Sequence, residues 1–143
     1  MQTFLPYPDY EESAAVLDRQ RLGKQRVENL QIIKAIIDPS YGWQNHPAVN
    51  MWRGSLGSLL MYQNAICTEW TDRGYKDTCL EKTKQLIIDA HSLGIVIHFE
   101  PPKWLGNTML HMSHRSNLLR KYPEYYGSLF EEELTDTMEY VWP

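Results

Sequence analysis

Cysteine is scarce, with two in 143 residues. Cys67 and Cys79, separated by eleven residues, match neither a paired-thiol redox motif nor a zinc framework, so two reduced, mostly buried thiols are expected. No apolar run approaches the ~18 residues that span a bilayer. The start, Met1-Gln2-Thr3-Phe4-Leu5-Pro6, lacks the basic and apolar regions of a signal peptide. A cytoplasmic chain with no membrane partner is the expectation. There is no repeat, no low-complexity tract, no glycine-rich phosphate loop and no serine nucleophile elbow. His111 and His114, spaced three apart, have no evident third ligand, so no metal site is expected.

What is present is an ordinary globular composition: 43% hydrophobic, 22% charged and 12% aromatic residues. The length lies near the ~100–150 residue mode for one domain, so residues 1–143 are expected to form a single compact domain and a monomer. The formal charge of −4 argues against a nucleic-acid binder only as an average. Residues 124–143 hold Glu124, Glu131, Glu132, Glu133, Asp136 and Glu139 without a Lys or Arg, leaving 14 basic against 12 acidic residues before them. The acid is concentrated in a segment over 128–139. Arg19, Arg21, Lys24 and Arg26 form one basic cluster, and Arg115, Arg120 and Lys121 a second. Screening limits each charge to roughly 10 Å, so two local clusters can serve a phosphate backbone in an acidic protein. The same residues also suit a plain solvated helix face.

The punctuation predicts a mainly α fold of about four helices with an irregular aromatic C-terminal segment. Asp9 and Glu12 read as a capping box for a helix running to about Ile37, before Asp38-Pro39. Val27, Leu30, Ile33 and Ile37 fall on its apolar arc, while Asp18, Arg21, Gln25 and Glu28, spaced three, four and three, make a separate polar stripe. That stripe continues into Ile32 and Ile36, so protein is expected to border its charged part. A second helix starts at Pro47 and runs to about Arg73, weakened or bent by Gly54 and Gly57. A third covers about Thr78–His91 and a fourth Asn107–Lys121. Ile95 to Phe99 suits a short extended piece.

Glu28 is the candidate catalytic carboxylate. It lies one turn from Lys24 and two from Arg21, an environment suited to stabilising an oxocarbenium-like sugar or moving protons; a surface ion-pair ladder has the same spacing. His46-Pro47 with Trp52-Arg53 gathers an imidazole, an indole and a guanidinium near one helix start. That group suits phosphate binding and base stacking, or a helix cap and a core Trp.

Three patterns resemble the pyrimidine-dimer DNA glycosylase (phage endonuclease V-like) family. They are Leu17-Asp18-Arg19-Gln20-Arg21-Leu22 with Val27-Glu28, then Arg73-Gly74-Tyr75 with Lys76-Asp77-Thr78, then Arg120-Lys121-Tyr122-Pro123-Glu124-Tyr125-Tyr126-Gly127. The resemblance places the family's catalytic glutamate on Glu28 and a DNA contact on Arg21. It implies an N-terminal α-amine that attacks the sugar, displaces the base, forms an imine and cleaves the strand by elimination. Such amines ordinarily titrate near 7.7–8.0, which leaves a neutral fraction for attack. Gln2 is a large neighbour that leaves Met1 in place, so Met1 would supply the amine, provided residues 1–8 fold back. Lys24, if burial lowers its pKa, and water remain alternative nucleophiles.

The reading is therefore a DNA base-excision repair glycosylase, with or without abasic-site lyase activity, acting on pyrimidine dimers or another damaged base in duplex DNA. Glu28, Met1 and Lys24 are its catalytic candidates. Arg21, Arg26, Arg53, Arg115 and Lys121 are its DNA contacts, with His46 and Trp52 lining the pocket. An amine and a carboxylate suffice for this chemistry, so no cofactor is implied. The alternatives are a non-catalytic nucleic-acid-binding module of the same fold and an interaction protein that uses its acidic tail.

Overall fold

The computed structural model describes residues 1–143 and contains helices only. They are α1 (Tyr10–Val16), α2 (Arg19–Ile37), α3 (Pro47–Asn50), α4 (Leu56–Asp72), α5 (Cys79–Ser92), α6 (Thr108–Lys121) and α7 (Pro123–Tyr126). The four long ones correspond to the four expected from sequence. None is long and apolar enough to cross a membrane.

Local chemistry accounts for most of the boundaries. The Asp9 side chain accepts the Glu12 N–H at 2.8 Å and opens α1. His46 opens α3 by accepting the Ala48 N–H on Nδ1, with Pro47 at the first position, and Asn107 accepts the Leu110 N–H to start α6. These caps satisfy amide groups that a helix start leaves unpaired.

Two expected helices are broken. The helix expected over Asp9–Ile37 is interrupted at Leu17-Asp18, where both residues are extended. The cause is distant in sequence: the Asp18 N–H donates to the Tyr126 hydroxyl at 2.9 Å, and that hydroxyl donates to Asp18 Oδ1 at 2.5 Å. Arg73 holds the end of α1 by donating to the carbonyls of Ala14, Ala15 and Leu17. The second helix splits into α3 and α4 around Gly54, whose φ is +79°. The segment expected to extend over Ile95–Phe99 forms no strand. It crosses the start of α4 so closely that a Cβ on Gly57 would lie 2.2 Å from the His98 carbonyl oxygen.

α2 packs against α4 and α5, α1 against α4, and α7 against α6. Leu22, Ile32, Ile33, Leu59, Tyr62, Ile66 and Leu118 are fully buried in the shared core. The apolar arc of α2 is buried as expected at Leu30, Ile33 and Ile37, with one exception. Val27, placed on the apolar arc, is 45% exposed, whereas Gln25, Glu28 and Asn29 from the polar side are buried. The N-terminal arm, residues 1–8, covers them.

Candidate active site

Gln25 acts as the hub of that polar face. Its Oε1 accepts the Phe4 N–H at 2.8 Å, and its Nε2 donates to the Gln2 carbonyl at 2.9 Å and to Asn29 Oδ1 at 2.8 Å. The amide side chain therefore pairs with the arm much as a neighbouring strand would. His111 and His114 grip the next residue from α6. The Leu5 N–H donates to His114 Nδ1 at 2.9 Å, and His111 Nδ1 donates to the Leu5 carbonyl at 2.8 Å while its Nε2 accepts the Gly106 N–H. Both rings must be neutral for this. Burial lowers both pKa values, that of His114 to about 3. Thr3 accepts the Trp52 indole N–H at 3.0 Å, and the Phe4 carbonyl accepts the Tyr62 hydroxyl.

This anchorage delivers the chain start to Glu28. The Met1 amine lies 3.8 Å from Glu28 Oε1, and the Gln2 N–H donates to Oε2 at 3.2 Å. The Met1 side chain is only 1% exposed although the residue as a whole is partly exposed, so its accessible surface lies on the backbone end. Lys24 Nζ approaches the same carboxylate oxygen at 3.7 Å, but its side chain is 64% exposed. The burial on which a nucleophilic role for Lys24 was premised is absent.

His46 lies within electrostatic reach of this group. Partial burial lowers its pKa first, the Met1 amine lowers it further, and Glu28 opposes the shift. The Tyr140 hydroxyl is buried beside Gln2 and falls short of hydrogen-bond geometry there. Residues 138–141 bring it in: the Met138 and Val141 N–H groups donate to the Ser116 and Ser113 hydroxyls. Sequence reasoning assigned no role to Gln25 or Tyr140. The three-four spacing around Gln25 was the one available signal.

The basic residues divide into two sets. Arg21, paired with Asp18 at 3.2 Å, joins Lys24 and Lys121 across α2 and α6, beside an Arg120 that donates to the Asp136 and Met138 carbonyls and to Asn117 Oδ1. Partial burial and these three cations lower the Lys121 pKa. An open groove of about 720 Å³ runs along α2 between Lys24 and the Trp70, Tyr122 and Tyr125 rings.

Four other expected contacts are engaged elsewhere. Arg26 is ion-paired with Asp77 and lies over the Trp70 ring. Arg115 donates to the Pro6 carbonyl and pairs with Glu131, and Arg53 braces the loop through Gln44 and Asn50. Trp52, expected to line the pocket, is fully buried and stacks on Tyr62. The cavity nearest His46 in the chain, about 510 Å³, is lined instead by Pro47, Met51, Trp104 and Trp142.

A shielded carboxylate beside a primary amine, with cations alongside, pairs a group able to offset positive charge with one able to act as a nucleophile. The sequence model described as pyrimidine dimer DNA glycosylase matches residues 1–83, more than half of the chain, and the chain belongs to that family. The match contains Met1, Arg21, Lys24, Gln25, Glu28 and His46, whereas α6 and the C-terminal segment lie outside it. No curated protein and no solved structure matches the chain.

Proposed function

We propose that this protein excises a damaged pyrimidine from DNA with the Met1 amine as nucleophile and Glu28 as the carboxylate that stabilises the sugar. The observation that carries this reading is the 3.8 Å approach of the amine to Glu28, with the Met1 side chain sealed beneath it. The neutral amine attacks C1′ of the deoxyribose, and the bond from C1′ to the base breaks. The base leaves with the bonding pair and takes up a proton. Glu28 offsets the positive charge that develops on the sugar, an interaction stronger in the transition state than in the ground state. The amine loses a proton, the sugar ring opens and an imine links Met1 nitrogen to C1′. Loss of a C2′ proton with departure of the 3′ phosphate then cleaves the strand, and hydrolysis of the imine releases the enzyme.

Arg21, Lys24 and Lys121 hold phosphates on the face beside the amine. The cavity near His46 between Trp104 and Trp142 receives the displaced base, the role first given to Trp52. A non-catalytic DNA module or an acidic-tail interaction protein would leave the amine and Glu28 without a shared task.

Borohydride trapping on abasic-site DNA and excision on irradiated duplex test this together. The wild type should form a covalent adduct, N-terminal blocking should abolish it, and Lys24→Arg should retain it because Arg keeps the charge without a neutral amine. Glu28→Gln should lower excision by orders of magnitude with little change in DNA affinity. Wild-type rates in both the blocked protein and Glu28→Gln would overturn the mechanism.

A further inference from the structure

Trp43 is an anomaly that the reaction as described does not use. It is 56% exposed, and its φ of +68° is the only positive value at a non-glycine residue in the chain. An L side chain there is disfavoured by sterics, and for an indole the conformation persists only where the surroundings impose it. They do so here. The Gln44 amide donates to the carbonyls of Ala35, Asp38 and Tyr41 at 2.8, 3.0 and 2.9 Å, folding the loop onto the end of α2. Arg53 clamps the Gln44 carbonyl at 2.6 Å and its side-chain oxygen at 3.0 Å. The His46 N–H closes the turn on the Trp43 carbonyl at 3.0 Å. A braced loop thus holds a large flat apolar side chain out in water.

Its location gives the arrangement a use. The indole meets the His46 ring edge-on, with centroids 5.7 Å apart, and the charges of the Met1 amine and Glu28 reach His46. The exposed ring therefore packs on a side chain that lies within electrostatic reach of the reaction centre. A sugar inside a stacked duplex cannot present C1′ to a fixed amine without local opening of the stack, and proteins open it by inserting apolar side chains between base steps.

We propose that Trp43 is a wedge that enters the base stack of duplex DNA next to the damaged nucleotide and holds the gap open while the Met1 amine reaches the sugar. The partner is a stacked base pair step, recognised by aromatic stacking and not by base identity. The inference rests on the glycosylase reading above.

The test compares the full-length wild type, Trp43→Ala and Trp43→Phe on one lesion placed in a duplex and in a single-stranded oligonucleotide, with 2-aminopurine beside the lesion in a parallel duplex. Trp43→Ala should lose roughly tenfold or more of duplex excision, the scale of one lost stacking contact. Trp43→Phe should keep most of it, and all three proteins should act alike on the single strand. Wild-type binding should raise 2-aminopurine fluorescence and Trp43→Ala binding should not. Trp43→Gly should leave the Tm level or higher, since glycine accepts this φ. Equal losses on both substrates, an unchanged duplex rate, or unstacking by Trp43→Ala as strong as by the wild type would overturn the wedge. Absence of excision by the wild type on either substrate would sink the glycosylase reading instead, while the 2-aminopurine signal still decides the wedge.

Discussion

Replacing Gln25 by Leu tests whether one buried amide positions the amine. Leucine has a similar size but leaves the Phe4 N–H, the Gln2 carbonyl and Asn29 Oδ1 without the partners they have at 2.8, 2.9 and 2.8 Å. Gln25 is fully buried, so water cannot readily replace it at Phe4 and Asn29, whereas the Gln2 carbonyl lies nearer the surface. Each fully buried unpaired group costs about 1–3 kcal/mol, so the two at Phe4 and Asn29 put the loss at about 2–6 kcal/mol. Set against a typical total of ~5–15 kcal/mol, the domain still folds over most of that range, with its Tm lowered by about 8–24 °C. The cheaper escape is release of the arm, which re-exposes those groups to water and carries Met1 away from Glu28. Hydrogen exchange should show lost protection at the Phe4 and Leu5 amides while α4 stays protected, and borohydride trapping should fall with it. A Gln25→Leu protein with wild-type exchange at Phe4 and Leu5 and a Tm within about 2 °C of the parent would refute the reasoning.

Stability should fall on acidification through the two histidines that hold Leu5. Burial keeps His114 neutral, with its pKa lowered to about 3 from an ordinary 6.5, so below ~6.5 the unfolded chain takes up a proton that the folded chain refuses. The loss is about 1.4 kcal/mol per pH unit from ~6.5 down to about 3, with His111 acting in the same direction; above ~7 this contribution is constant. Urea midpoints across pH 4–8 should show that slope, and His114→Gln should flatten it; an unchanged slope would remove His114 from the account. Charge neutralisation tests the acidic segment better than its excision, because Phe130 is buried against Tyr126 and would be lost with residues 128–139. Glu131→Gln, Glu132→Gln and Glu133→Gln together should free Arg115 from Glu131, tighten duplex binding at low salt and steepen the log–log salt slope by about one. Unchanged binding by the folded triple variant would show that the segment does not oppose DNA.

The sequence read well where structure depends on neighbours in the chain. Asp9, Pro47 and Asn107 announced their helices because a cap needs only the next three residues. The polar stripe of α2 was visible from spacing alone, and so was the inference that protein borders it. What covers the stripe was not visible, because the arm reaches Gln25 across 21–23 residues and His114 across 109. The break at Leu17-Asp18 was hidden for the same reason: its cause, Tyr126, is 108 residues away. Trp52 was misplaced because an indole near a helix start looks the same whether it faces DNA or a buried Thr3, and the Asp77 that pairs with Arg26 on the groove wall lies 51 residues away.

The arm also explains why the site is built from such dissimilar parts of the chain. A terminal amine has no helix or strand of its own to fix it, and a free end of eight residues would lose its ordering by roughly 1–2 kcal/mol of backbone entropy per residue held. The protein offsets this by pairing the backbone of residues 2–5 with side chains from three directions: Gln25 and Glu28 from α2, Tyr62 and Trp52 from α4 and the preceding turn, and His111 and His114 from α6. Because most of these bonds go to main-chain atoms, they fix the register of the arm more than the identity of its residues. The register places the amine 3.8 Å from Glu28. Two of those three directions lie within the segment that matches the glycosylase family, and the third, α6, lies beyond it. The family portion therefore holds the Met1 amine, Glu28 and two of the three sets of anchors, and α6 supplies the third.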